Sequence, residues 1–220
     1  MSAAEPHRVP DTLAERVQAC TQCHGKEGRA TPDGYFPRIA GKPAGYLYQQ
    51  LVAFRDGRRH NAAMNHLVGQ LSDAYLREIA GHFASLDLPY PPPAPVEATP
   101  AVLARGATLV RRGDAARDLP ACTSCHGALM TGVQPAVPGL LGLPRDYLNA
   151  QLGAWQTGQR RAVAPDCMAQ VAQRMNPDDV QAVAAWLAAR PVPVRAHAAP
   201  RAALKKLPMD CGSLQTEAPR

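Results

Sequence analysis

The pentapeptide Cys-x-x-Cys-His occurs twice in this chain, as Cys20-Thr21-Gln22-Cys23-His24 and as Cys122-Thr123-Ser124-Cys125-His126. In that pattern two thiols add across the vinyl groups of a haem, and the adjoining histidine is carried against one face of the iron as its proximal ligand. The expectation is two covalently attached haem c groups, held through Cys20, Cys23, Cys122 and Cys125, with His24 and His126 on the irons. Zinc is the competing use of paired cysteines, since four thiolates make a tetrahedral site. The pairs lie too far apart for a small zinc ribbon, however, and zinc gives no reason for a histidine directly after each. A thioredoxin-like redox site fails as well, because no βαβ pattern surrounds either pair.

An internal repeat organises the rest. Pro37, Ile39 and Gly41 match Pro138, Leu140 and Gly142, and Tyr46-Leu47 with Gln50-Leu51 match Tyr147-Leu148 with Gln151-Leu152. Phe54 then meets Trp155, and Gly57-x-Arg59 meets Gly158-x-Arg160. A slightly longer loop in the second half brings Met64 onto Met168. Two similar domains from a duplication is the economical reading.

Each half carries helical signals. Residues 44–56 put Tyr46, Gln50, Leu51 and Phe54 near one helical face, and residues 145–156 repeat the pattern. A further helix is expected after Ser72, with Leu76, Ile79, Ala80 and Phe83 inward. Its counterpart has Asn176 to cap it, Pro177 at its first position and Asp179 in its first turn. No segment alternates convincingly as a strand, so the fold class is all-α. Aromatic residues make up only 5% of the chain, thin for two cores; a haem would supply the missing apolar body.

The distal iron ligand decides whether such a haem carries electrons or binds small molecules. Thioether sulfur favours the ferrous state and raises the potential. The repeat selects Met64 and Met168, each preceding the last helix of its half. Competitors fail the same test: His66 faces Gln170, Met175 faces Leu71, Met130 follows His126 too closely, and His60 and His82 have no histidine counterparts. Pro37 and Pro138 are candidates to turn a backbone carbonyl onto the proximal histidines, or are simply rigid turns. Arg59 and Arg160 are candidates for haem propionates through the guanidinium fork, or are solvated.

The expected layout is domain one over residues 1–87, a proline-rich linker over 88–101, domain two over 102–190 and an extended basic tail over 191–220. The formal net charge is +6, with the excess in the second half and tail. Four propionates would offset much of it, and no basic stripe with interleaved aromatics points to nucleic acid. No apolar run is long enough to span a membrane, although peripheral association stays open. Haem attachment implies maturation outside the cytoplasm, so a periplasmic protein is expected, its signal or anchor removed or lost to a misassigned start. Haem attachment leaves Cys167 and Cys211. They either form a disulfide tying the tail to domain two, worth about 4 kcal/mol in the chain-entropy model, or stay as thiols, one buried beside Met168 and one mobile.

In these residues the chain resembles the di-haem cytochrome c4 family over roughly residues 12–190. The resemblance rests on both Cys-x-x-Cys-His-Gly motifs, Pro37-x-Ile39-x-Gly41, Tyr46-Leu47-x-x-Gln50-Leu51, Asp56-Gly57-x-Arg59 and Met64 before Leu71-Ser72. It implies two class I cytochrome c domains related by approximate two-fold symmetry, His/Met-ligated haems and electron transfer outside the cytoplasmic membrane. The tail and the placing of Cys167 beside Met168 depart from the pattern. The expected function is a periplasmic electron carrier rather than an enzyme. Its donor would be a quinol–cytochrome c oxidoreductase or a dehydrogenase, and its acceptor a haem–copper oxidase. The alternative is a cytochrome subunit bound to a flavin- or quinone-dependent dehydrogenase. A di-haem peroxidase would need an open iron position, which a sixth ligand at both haems denies.

Overall fold

The computed structural model describes residues 11–194, 196–204 and 207–215. The first ten residues assigned to domain one and the last five of the tail lie outside these. The first half contains α1 (Leu13–Arg16), α2 (Gln18–His24), α3 (Ala44–Arg55), α4 (Ala62–Val68) and α5 (Asp73–Ala84). The second contains α6 (Pro100–Arg112), α7 (Thr123–His126), α8 (Arg145–Gln156), α9 (Cys167–Gln173) and α10 (Pro177–Ala188). The tail ends in α11 (Gly212–Gln215).

Cap chemistry sets the helix starts. Ser72 accepts from the Tyr75 amide at 3.3 Å and Asn176 from the Asp179 amide at 2.8 Å, each satisfying an orphan donor of the first turn. Asp179 does more: its buried carboxylate accepts from Arg105 Nε at 2.8 Å and Arg117 Nη1 at 2.6 Å, tying α10 to α6 and to the turn after it. In the second domain α6 crosses α10 so closely that a Cβ at Gly106 would sit 2.1 Å from the Ala182 carbonyl oxygen. Only glycine admits that approach.

Two sequence expectations change. The linker ends before residue 101: Thr99 caps α6 by accepting from the Val102 amide at 3.3 Å, and Pro100 takes the first helical position, where its missing N–H costs nothing. The described residues also include an antiparallel ladder, β1 (Gly132–Val133) with β2 (Val137–Pro138), too short to register as alternation in the sequence.

The linker is not a free spacer. Arg38 donates to the Leu88 and Pro89 carbonyls and its guanidinium lies 3.9 Å from the centre of the Tyr90 ring. The tail is equally docked. Ala199 exchanges backbone bonds with the β1 strand region, accepting from Gln134 at 2.8 Å and donating to Gly132 at 2.9 Å. Cys211 is bonded to Cys167, so the disulfide forms and the free-thiol alternative is excluded.

Buried hydrophobics of the second domain form one cluster around Leu109, Val110, Leu148, Val183 and Leu187. Those of the first divide in two: Val17, Leu47, Ile79, Ala80 and Phe83 in one group, and Phe54, Val68 and Leu76 in the other. A cavity borders both groups, so the first core is completed only when that space is filled.

Candidate haem sites

Helix α2 carries Cys20, Cys23 and His24 and stops at Gly25, whose φ of 73° ends the helical run. Helix α7 carries Cys125 and His126 and stops at Gly127 in the same way, φ 84°. His24 Nδ1 lies 2.9 Å from the Pro37 carbonyl oxygen, and His126 Nδ1 lies 2.9 Å from that of Pro138. A carbonyl only accepts, so Nδ1 carries the hydrogen and Nε2 is left with its lone pair, the form that binds a metal. Both rings are buried, and that burial holds their pKa below the ordinary histidine value. They are therefore neutral imidazoles at neutral pH.

Burial acts on the thiols in the opposite sense. It raises the pKa of Cys20 and Cys125, and pushes that of Cys122 up to about 12. Each of these three thiols is therefore held in its protonated form at neutral pH. Among the described residues, no group of three or more histidine, cysteine or acidic side chains gathers as a metal site.

One continuous cavity of about 1170 Å³ is bordered by residues from both halves. All four motif cysteines, His24, His126, Met64 and Met168 line it, as do Pro37, Pro138, Arg59 and Arg160. Met64 sits on α4, where the Asn61 side chain accepts from its amide at 3.1 Å. Met168 sits at the start of α9, capped by Asp166 through the Ala169 amide at 3.0 Å. Among the competitors, Met130 is packed into the second core, and His66 and His82 do not border the cavity. Met175 belongs to that same core while touching the cavity edge, and His60 borders the cavity from an exposed position.

Arg59 and Arg160 are not solvated. Both are buried, and they meet across the boundary between the halves, with their backbones paired there. Arg59 donates to Gln50 of its own half at 3.0 Å, and to Gln151 at 2.7 Å and Tyr147 at 2.9 Å in the other. Arg160 mirrors it, donating to Gln151 at 2.8 Å, and across the boundary to Gln50 at 2.8 Å and Tyr46 at 3.4 Å. Burial, and then the Arg59 charge, pull the Arg160 pKa below the ordinary arginine value, yet a guanidinium stays charged. Burial opposes ionisation of Tyr46, but Arg160 and Arg59 outweigh it and lower its pKa. Every bond drawn above ends on a neutral oxygen. Two buried cations side by side without a carboxylate are costly, and the cavity they line is where an anion would relieve them.

The cytochrome c family model matches residues 103–190. The chain is 41% identical to the thiosulfate dehydrogenase electron acceptor of Thiomonas intermedia over 79% of each chain. It is 32% identical to cytochrome c4 of Pseudomonas aeruginosa over 82% of this chain and 89% of that one. The structure of reduced recombinant cytochrome c4 from Pseudomonas stutzeri superposes with a TM-score of 0.68 at 29% identity, covering 79% of this chain and 94% of that one. The chain belongs to the di-haem cytochrome c4 family. It is an all-α electron-transfer cytochrome of two tandem c-type domains, with two covalently bound haem c groups.

The residues present fit those groups. The cavity meets both core clusters of the first domain, and among the described residues the hydrogen bonds of the guanidinium pair end on neutral oxygens and the buried Trp155 Nε1 has no partner. A haem propionate placed there would supply both an acceptor and a negative charge. Sequence reasoning missed Gln50, Gln151, Tyr46 and Tyr147 as parts of this arrangement. The repeat displayed all four, but as helix-face residues. Missed entirely was Lys42, a buried residue of the first domain whose Nζ donates to the Gly139 carbonyl of the second at 2.9 Å. It has no charged counterpart in the repeat, so no pattern marked it.

Proposed function

We propose that this cytochrome takes single electrons from a thiosulfate-oxidising dehydrogenase in the periplasm and passes them to a respiratory acceptor such as a haem–copper oxidase. His24 and His126 serve as proximal ligands, Met64 and Met168 as distal ligands, and the carbonyls of Pro37 and Pro138 hold the two imidazoles in the metal-binding tautomer. Arg59 and Arg160 receive propionates at the domain boundary. The observation that carries the reading is the single cavity lined by both motifs, both methionines and the shared arginine pair. It supports two redox centres close enough to exchange electrons inside one chain. Joining two thiosulfate anions through a new sulfur–sulfur bond releases two electrons, one for each haem.

The 41% identical relative, itself a thiosulfate dehydrogenase electron acceptor, supports the donor. The tail does not favour a permanent subunit of a dehydrogenase, because it is docked on its own chain. No helix among the described residues is long and apolar enough to cross a membrane.

The test mixes the oxidised protein anaerobically with thiosulfate and a catalytic amount of thiosulfate dehydrogenase. Both haems should be reduced to completion at a rate set by the enzyme. Failure of the dehydrogenase to reduce the protein, alongside rapid reduction by a quinol–cytochrome c oxidoreductase, would overturn the assignment of donor.

A further inference from the structure

The two methionine-bearing helices are held in place by different devices. After Met64 comes Asn65, whose amide nitrogen donates to the carbonyls of Phe54 and, at 3.3 Å, of Arg59. Its oxygen accepts from the Asn61 amide at 2.8 Å. These bonds pin α4 to the end of α3 and to the loop that follows. After Met168 comes Ala169, which has no polar side chain to do the same.

The tail stands in that place. Cys167, directly before Met168, is bonded to Cys211, with a Cα separation of 5.1 Å. The next tail residue, Gly212, donates its amide to the Pro165 carbonyl at 2.9 Å. The approach is so close that a Cβ at residue 212 would lie 2.1 Å from the Ala164 carbonyl oxygen. The Ser213 carbonyl then accepts from Gln49 Nε2, on α3 of the first domain, at 2.6 Å. Cys211 is only 3% exposed, and Ser213, Cys167 and Met168 all border the cavity.

We propose that residues 211–213 are a positioning brace for Met168, taking in the second domain the part that Asn65 plays in the first. The inference rests on Met168 being the distal ligand of the second haem. For a methionine to leave iron, its helix and the loop before it must open locally, and opening is rarer when that segment is tethered. The brace joins the loop both to the tail and to the first domain. It therefore sets how often the second haem exposes a free coordination position, without touching the first.

The experiment uses the fully loaded Cys167→Ser/Cys211→Ser double variant, with imidazole as the probe of methionine release from ferric haem. Imidazole should bind one haem roughly tenfold faster or more, the scale on which groups behind a metal ligand act, and the other haem at an unchanged rate. Amide hydrogen exchange over α9 should accelerate alongside it. Asn65→Ala should produce the mirror result on the other haem. Gly212→Val, which keeps both cysteines, should reproduce the double variant if that one assembles poorly. Unchanged imidazole binding in the cysteine and glycine variants would overturn the brace, and so would equal acceleration at both haems, which marks general loosening. Met168→Ala separates the two readings. If it leaves the sulfur–iron absorbance intact, the ligand assignment fails; if it removes that absorbance while the brace variants are inert, only the brace fails.

Discussion

Replacing Met168 by alanine should remove about half of the weak near-infrared absorbance of sulfur-ligated ferric haem and make one haem bind carbon monoxide, because the axial thioether is lost at one of two irons. Met64→Ala should do the same to the other haem. Both haems should stay attached in each variant, since the thioether links to Cys20 and Cys23, or to Cys122 and Cys125, do not involve the distal side. The remaining half of the band should keep its shape, because the methionines stand on separate helices, α4 and α9. Carbon monoxide binding at either haem of the unaltered protein would contradict the assignment, as would a full band in either variant. The loaded proteins are compared by absorbance alone, so no partner protein enters the result.

The second large effect belongs to the arginine pair. Arg160→Met should cost the loaded protein about 3 kcal/mol, the scale for removing one partner of a buried charge pair and leaving the other uncompensated. Arg59→Met should cost a similar amount. The double variant should lose clearly more than the sum, because each single substitution relieves the repulsion between the guanidiniums and still leaves Gln50 and Gln151 one cation to bind. Urea unfolding followed through the haem absorbance measures all three. Small, additive losses of the kind surface arginines give would show that no propionate depends on them.

How much of this was readable beforehand differs from residue to residue. The helix from Arg145 to Gln156 appears with the expected bounds, and Ser72 and Asn176 cap as their residue types require. Those signals are local: periodicity, a hydroxyl or amide before the first turn, a proline that needs no donor. The pairing of Pro37 and Pro138 with the histidines was foreseen as one of two options, and the distances of 2.9 Å decide it. The arginines were recognised as a repeated pair but not as a pair facing each other, since a repeat gives equivalence and not proximity. The tail was the least readable part. Its composition resembles that of an unstructured segment, and its docking depends on one disulfide, one glycine and backbone bonds that have no sequence pattern. Asn65 was overlooked for a related reason: its meaning lies in the contrast with Ala169, visible only once both helices are seen against their supports.

The proposed function turns on two haems in one chain sharing electrons across the arginine-lined boundary. Stopped-flow reduction with less than one electron per chain tests it most directly, followed by the absorbance of each haem over a range of protein concentrations. The Met64→Ala and Met168→Ala variants identify which signal belongs to which haem. Redistribution of the electron between the two haems at a rate independent of protein concentration is the predicted result. A rate that rises in proportion to concentration would mean that electrons pass only between molecules, and would contradict the account.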